Sequence, residues 1–226
     1  MEWRDSGFVL TARRHGESGL VVDLLTRDHG RHAGLVRGGQ SPRRRPLFQP
    51  GNLVDANWRG RLPEHLGSLD CELVQPHAAR FIDDPDRLAA LSAAASLLAA
   101  TLPEREPHPD VFADLAELVA ALDAAQGWAV HYVGWERNLL AALGFGLDLA
   151  RCAVTGQAGD LAYVSPRTGR AVSLAGAGMY RDRLLPLPEF LWRDSAGEAA
   201  DVVAGLTLIG YFLDRHLLEP HGRRLP

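Results

Sequence analysis

The sequence predicts an α+β protein in two parts, a small five-stranded β-barrel over residues 1–80 and a helical domain over residues 81–226. Three observations carry this prediction. Five short strand-like runs separated by turn chemistry fill the first 75 or so residues. The apolar period then changes to the helical 3.6 at Asp84-Pro85. A Gly/Ser/Thr-rich stretch, about 151–180, interrupts the helical pattern as a small irregular ribbon.

The strand runs come in order. Gly7–Arg13 is apolar and β-rich, and Leu20–Thr26 is a second run. Arg27-Asp28-His29-Gly30 has hairpin chemistry, and His32–Arg37 makes a third strand closed by Gly38-Gly39. After an Arg/Pro-rich loop, Asn52–Arg59 and Gly67–Val74 give a fourth and a fifth. Five short strands in so little chain fit the oligonucleotide/oligosaccharide-binding (OB) barrel, with an SH3-like barrel as the alternative.

Asp84 followed by Pro85 reads as an N-cap with proline at the first helical position. Leu88, Leu91, Ala95, Leu98 and Leu102 form one stripe, ended by Pro103. Val111, Leu115, Leu118 and Leu122 form the next. Trp128, Tyr132, Trp135 and Leu139 follow Gly127 and stop at Gly144-Phe-Gly146. A last stripe takes Val202, Leu206, Ile209, Leu213 and Leu217. Such stripes bury against one another, as in a helical bundle. Within the ribbon, Leu161–Val164 and Arg170–Ser173 flank the turn Pro166-Arg-Thr-Gly169.

Composition removes whole classes of chemistry. All 24 basic side chains are arginine, so the lysine of a P-loop, a pyridoxal Schiff base or a protein kinase is missing. The arginine bias itself reads as codon composition, yet it leaves every cation a guanidinium suited to bidentate phosphate contacts. No apolar run reaches the ~18 residues of a membrane span, and the N-terminus lacks the pattern of a signal peptide. Two cysteines 81 positions apart indicate no disulfide framework. The expectation is a cytoplasmic, soluble, reduced protein.

Net charge is −4, but residues 27–61 hold eight arginines against Asp28 and Asp55, a local +6, while residues 81–226 are net −7. A basic patch on an acidic chain points to a localised anionic partner. Its centre is Arg37-Gly-Gly-Gln-Ser-Pro-Arg-Arg-Arg45-Pro-Leu-Phe48, where glycines and prolines hold Arg43, Arg44 and Arg45 on a loop leaving a strand. Guanidinium forks on such a loop can follow a phosphate backbone. Arg27, Arg31, Arg59 and Arg61 extend the surface, Trp58 or Phe48 can stack a base, and His29 and His32 support the positive face. With so few aromatics in residues 1–80, most of them core, recognition rests on phosphates and is indifferent to base sequence. His15-Gly-Glu17 sits in a turn with no nucleophile or metal partner nearby. The acids Glu104, Glu106, Asp110 and Asp114 read as a solvated helix start. Cys152-Ala-Val-Thr155-Gly156 has the outline of half a zinc knuckle, but Thr155 stands where a second thiol belongs, so no metal or other cofactor is expected.

Gly7-Phe-Val-Leu10, His15-Gly-Glu17, Leu24-Leu-Thr-Arg-Asp-His-Gly30, Val36-Arg-Gly-Gly39, Leu139-Leu-Ala-Ala-Leu-Gly-Phe145 and Cys152-Ala-Val-Thr-Gly156 occur in an order and spacing that resembles the RecO family of DNA repair proteins, over essentially the whole chain. The resemblance implies an OB barrel followed by a helical domain that often bears a zinc finger. It also implies a non-enzymatic recombination mediator, nucleoid-associated in the cytoplasm, that binds single- and double-stranded DNA and anneals complementary strands. With RecR, such a protein helps load RecA onto DNA coated by single-strand DNA-binding protein, whose acidic C-terminal tail is a further ligand. Arg137, Arg151, Arg181 and Arg183 are the cations available for that tail. The competing readings are an RNA-binding barrel protein and a protein–protein adaptor using the acidic helical half.

Overall fold

The computed structural model describes residues 1–62, 65–124 and 126–225. Strands β1 (Glu2–His15), β2 (Gly19–Thr26), β3 (Gly30–Val36), β4 (Leu53–Arg59) and β5 (Gly67–Gln75) close into a barrel in the order β1-β2-β3-β5-β4. All pairings are antiparallel except β3 with β5, which meet in parallel at Gly34 and Gly67. This is an OB-type barrel.

Barrel closure explains why β1 is longer than its apolar run. Gly7–His15 pairs with β2 and Glu2–Phe8 pairs with β4, and a bulge between Val9 and Thr11 bends the strand from one neighbour to the other. The polar start Glu2-Trp-Arg-Asp5 hides this pairing from propensity. Alternation fills the interior with Val9, Leu20, Val22, Leu24, Val36, Val54, Ala56, Trp58, Leu69 and Cys71, plugged by Phe48. The parallel seam requires glycine: a Cβ at Gly34 would stand 2.6 Å from that of Leu69, and one at Gly67 would stand 2.4 Å from the Trp58 ring.

A single turn α1 (His77–Arg80) precedes α2 (Pro85–Thr101), whose first turn is capped by Asp84 accepting from the Arg87 amide at 3.2 Å. Leu91, Ala95, Leu98 and Leu102 are buried, and α2 packs on β1. In α3 (Pro109–Leu122), Val111, Leu115, Leu118 and Leu122 are all buried. The chain divides into two compact units after Ala113, inside α3. The change of period near residue 80 therefore marks where strands give way to helices, while compactness carries α2 with the barrel.

The second unit holds α4 (Trp128–Ala142), a three-stranded sheet of β6 (Leu161–Val164), β7 (Ala171–Ser173) and β8 (Leu185–Pro186) in the order β7-β6-β8, the short α5 (Leu174–Ala177) and α6 (Ala199–Leu213). The ribbon expected near 151–180 is the β6–β7 hairpin. In α6 the buried face is Gly205, Leu208, Ile209, Phe212 and Leu213, so the expected stripe is rotated and Leu206 is exposed. Gly205 causes this: Val133 and Phe190 come within about 3 Å of where its Cβ would be, and only a bare backbone allows that approach. Among the described residues no helix is long and apolar enough to cross a membrane.

Candidate nucleic-acid interface

The arginine loop is built rather than loose. Gln40 donates to the carbonyls of Gly16 and Gly19 at 3.1 and 2.8 Å, fastening the loop to the β1–β2 turn. The Ser41 carbonyl accepts from the amides of Arg44 and Arg45 at 3.0 and 2.9 Å, and a 3-10 turn over Arg45–Phe48 sinks Phe48 into the core. Asn52 donates to the Pro46 and Leu47 carbonyls at 3.0 and 3.2 Å. The loop thus presents Arg37, Arg43 and Arg45 exposed and Arg44 half-buried.

Arg37, Arg44 and Arg59 converge on one groove of about 400 Å³ at the junction of β3, β4 and β5, shared with Leu35, Asn57 and Asp70. Two of the three are already ion-paired there. Arg44 donates to Asp70 at 2.8 Å and to the Arg37 carbonyl at 3.3 Å, and Arg59 donates to Glu2 at 2.6 Å. The Arg59 guanidinium holds the Glu2 carboxyl below its ordinary value. Arg61 is exposed just beyond β4.

Five expected participants do not join this surface. Arg31 is a strut: it donates to Asp23 at 2.8 Å, to the Leu102 carbonyl at 2.6 Å and to Glu104 at 3.4 Å, with its side chain 14% exposed. Burial pushes the Asp23 carboxyl up, and Arg31 opposes that rise. Trp58 is 1% exposed and Phe48 3%, so neither can stack a base; both fill the barrel. His32 is buried against Trp3 and Trp58, and burial, with Arg105 and His29 nearby, pushes it down to about 4, so it adds no positive charge at neutral pH. Arg27 is exposed but lies over the Phe112 ring, 5.4 Å from its centroid, away from the groove residues in sequence and contact.

Sequence reasoning missed Arg14. It is exposed at the end of β1 and shares a pocket of about 250 Å³ with Arg45, Gln40 and Gln49. The Arg13-Arg14 doublet was its signal, lying outside the window in which charge is concentrated.

The zinc finger that the RecO resemblance implies does not fit this chain. The Cys152 sulfur is buried and already accepts from the Thr155 amide at 3.4 Å, the Ser173 amide at 3.2 Å and the Ser173 hydroxyl at 3.3 Å. Burial pushes its thiol up, but those hydrogen bonds outweigh burial and bring it down to about 6. Thr155 stands where a second thiol would be needed, and among the described residues no group of three or more His, Cys, Asp or Glu could hold a metal.

A closed OB-type barrel with an arginine-lined groove, followed by helices and a short ribbon, defines an OB-barrel protein with an appended helical unit. Residues 1–77 match the family described as recombination protein O N terminal, and residues 82–225 match recombination protein O C terminal. The chain belongs to the RecO family. It is 56% identical to the DNA repair protein RecO of Rhodospirillum centenum over all of this chain and 91% of that protein. It is 53% identical to the DNA repair protein RecO of Rhodospirillum rubrum, over all of this chain and 92% of that protein, and 48% identical to that of Cereibacter sphaeroides, over all of this chain and 94% of that protein.

Proposed function

We propose that this protein is a non-enzymatic mediator of DNA repair and recombination that grips single- and double-stranded DNA by the backbone and anneals complementary strands. In this reading it works in the cytoplasm at the nucleoid and, with RecR, helps load RecA onto DNA coated by single-strand DNA-binding protein. The nucleic-acid-binding domain is the barrel, residues 1–80, and residues 81–226 with the ribbon form the helical domain. The observation that carries the reading is the groove where Arg37, Arg44 and Arg59 converge beside the exposed Arg43 and Arg45. Arginines of this kind fix a strand by its phosphates and leave base identity unread. Arg61 extends that surface, whereas Arg27 lies apart from it, over the Phe112 ring.

The acidic, Phe-ended tail of single-strand DNA-binding protein is assigned to Arg137. That side chain lines a pocket of about 260 Å³ with Leu118, Trp135 and Phe190, a cation beside apolar walls. The rim also carries Asp114 and Glu117, which oppose an acidic ligand and keep the affinity modest.

A strand-annealing assay with and without single-strand DNA-binding protein tests the main reading. Annealing of complementary DNA strands should be accelerated, and the acceleration should survive coating. If RNA outcompetes DNA for the protein, the barrel belongs to an RNA-binding protein instead. If the protein binds neither, the adaptor reading takes its place.

A further inference from the structure

The outer face of β2 and β3 is only half open. Side chains alternate along β2, so Asp23 and Leu25 point outward, yet they are 4% and 0% exposed. Residues 102–112 cover them. Arg31 binds the Leu102 carbonyl, its own carbonyl accepts from the Arg105 amide at 2.7 Å, and Arg31 and Glu104 form a parallel bridge. At Gly30 (φ 66°) the fit is so close that a Cβ would stand 2.0 Å from the Glu106 carbonyl oxygen. Phe112 closes the end of this strap against Phe8, ring centroids 5.1 Å apart. An OB barrel reads oligonucleotides on its β2–β3 face, and here the Asp23–Gly30 end of that face is unavailable. Towards the other end, the paired residues Val21 and Leu35 are half-exposed, flanked by the exposed Arg13 and Arg37.

We propose that the bound strand is confined to the Val21–Leu35 end of this face, crosses the β3–β5 seam into the groove of Arg37, Arg44 and Arg59, and displaces Asp70, which is the resident counter-ion of Arg44. The inference rests on the DNA-binding reading and adds the path and its built-in competitor. Asp70 suits that role. Its side chain is 78% exposed, so it can swing into solvent, and the 2.8 Å bond to Arg44 occupies the fork that a phosphate oxygen needs. Arg44, 36% exposed and tied back to the Arg37 carbonyl, stays aimed into the groove when the carboxylate leaves. At Arg44 and Arg59 a phosphate contact exchanges one anion for another, which keeps the grip reversible.

The test measures binding of the whole chain to labelled oligothymidylate across a salt series. Arg37→Ala and Arg59→Ala should each weaken binding about fivefold at 0.1 M salt, and Arg27→Ala, beside the strap, should leave it unchanged. Asp70→Asn should tighten binding about threefold and steepen the log K against log salt slope by ~0.7. Glu72→Gln removes an exposed charge from the same strand and should do less. In an Arg44→Ala background the gain from Asp70→Asn should vanish. Equal tightening by Glu72→Gln, or a gain that persists without Arg44, overturns the role of Asp70. Weakening by Arg27→Ala to the extent of Arg37→Ala overturns the path. If Arg37→Ala and Arg59→Ala have no effect while Arg43→Ala and Arg45→Ala weaken binding, the path fails and the DNA-binding reading stands. If none of these substitutions changes binding, the DNA-binding reading itself fails.

Discussion

Arg31 and Arg44 carry the same charge on one barrel, and their partners set them to different work. Arg31 is enclosed and holds a buried carboxylate and a carbonyl 71 positions away. Removing it strands Asp23, so Arg31→Ala should cost about 3 kcal/mol in chemical denaturation. The folded remainder should bind oligothymidylate as before, which separates a strut from a phosphate contact. Cys152 is a second case of partner deciding role. Cys152→Ala leaves the donors of Thr155 and Ser173 unmet and should lose about 2 kcal/mol, with Cys152→Ser closer to the parent. The melting temperature should not move on dialysis against a zinc chelator, because among the described residues Cys152 has no companion ligands with which to hold a metal. Thr155 at the second knuckle position was legible in the sequence. Arg31 was not, because a composition window sees its charge and not residues 102–104.

Elements were legible where pattern and packing agree. The Asp84-Pro85 start of α2, the β6–β7 hairpin and β2 to β5 lie within a few residues of their apolar runs. They fail where a tertiary contact overrides the pattern, as in the polar start of β1, needed to close the barrel, and in α6, turned by Gly205. A buried charge inside α4 was equally hidden. Glu136 is 6% exposed, one of its oxygens has no partner, and burial pushes its carboxyl up to about 7 despite the hydrogen bond from Tyr132. Its folded pKa lies above the unfolded value. The stability linked to it is therefore fully present below about 4.5 and is lost as pH rises through 7. Glu136→Gln should be nearly neutral at pH 5 and should raise stability by roughly 3 kcal/mol at pH 8, read from denaturation midpoints at the two pH values.

At the scale of the molecule, a chain of net −4 is proposed to hold a polyanion through residues 27–61, which are net +6. Segregated charge makes this possible, because screening over a Debye length of about 8–10 Å confines each region's field near the cell's ionic strength. Binding should then be strongly salt-dependent. With four to six arginines neutralising phosphates, log K against log salt for a single strand should slope about −3 to −4, at ~0.7 per contact. Replacing Arg43, Arg44 and Arg45 together by Ala removes two exposed guanidinia and one that Asp70 already half neutralises. The slope should accordingly flatten by about 1.5, less than three unpaired arginines would give. The loss should be similar for every base sequence, since phosphates carry no sequence information. Folding should change little, because exposed loop charges seldom contribute more than ~0.5 kcal/mol. Annealing should fall in step with binding, since two anionic strands are brought together only where their repulsion is neutralised. A folded triple variant with parental affinity and slope would leave the loop no part in DNA binding and shift the contact to Arg37, Arg59 and Arg61.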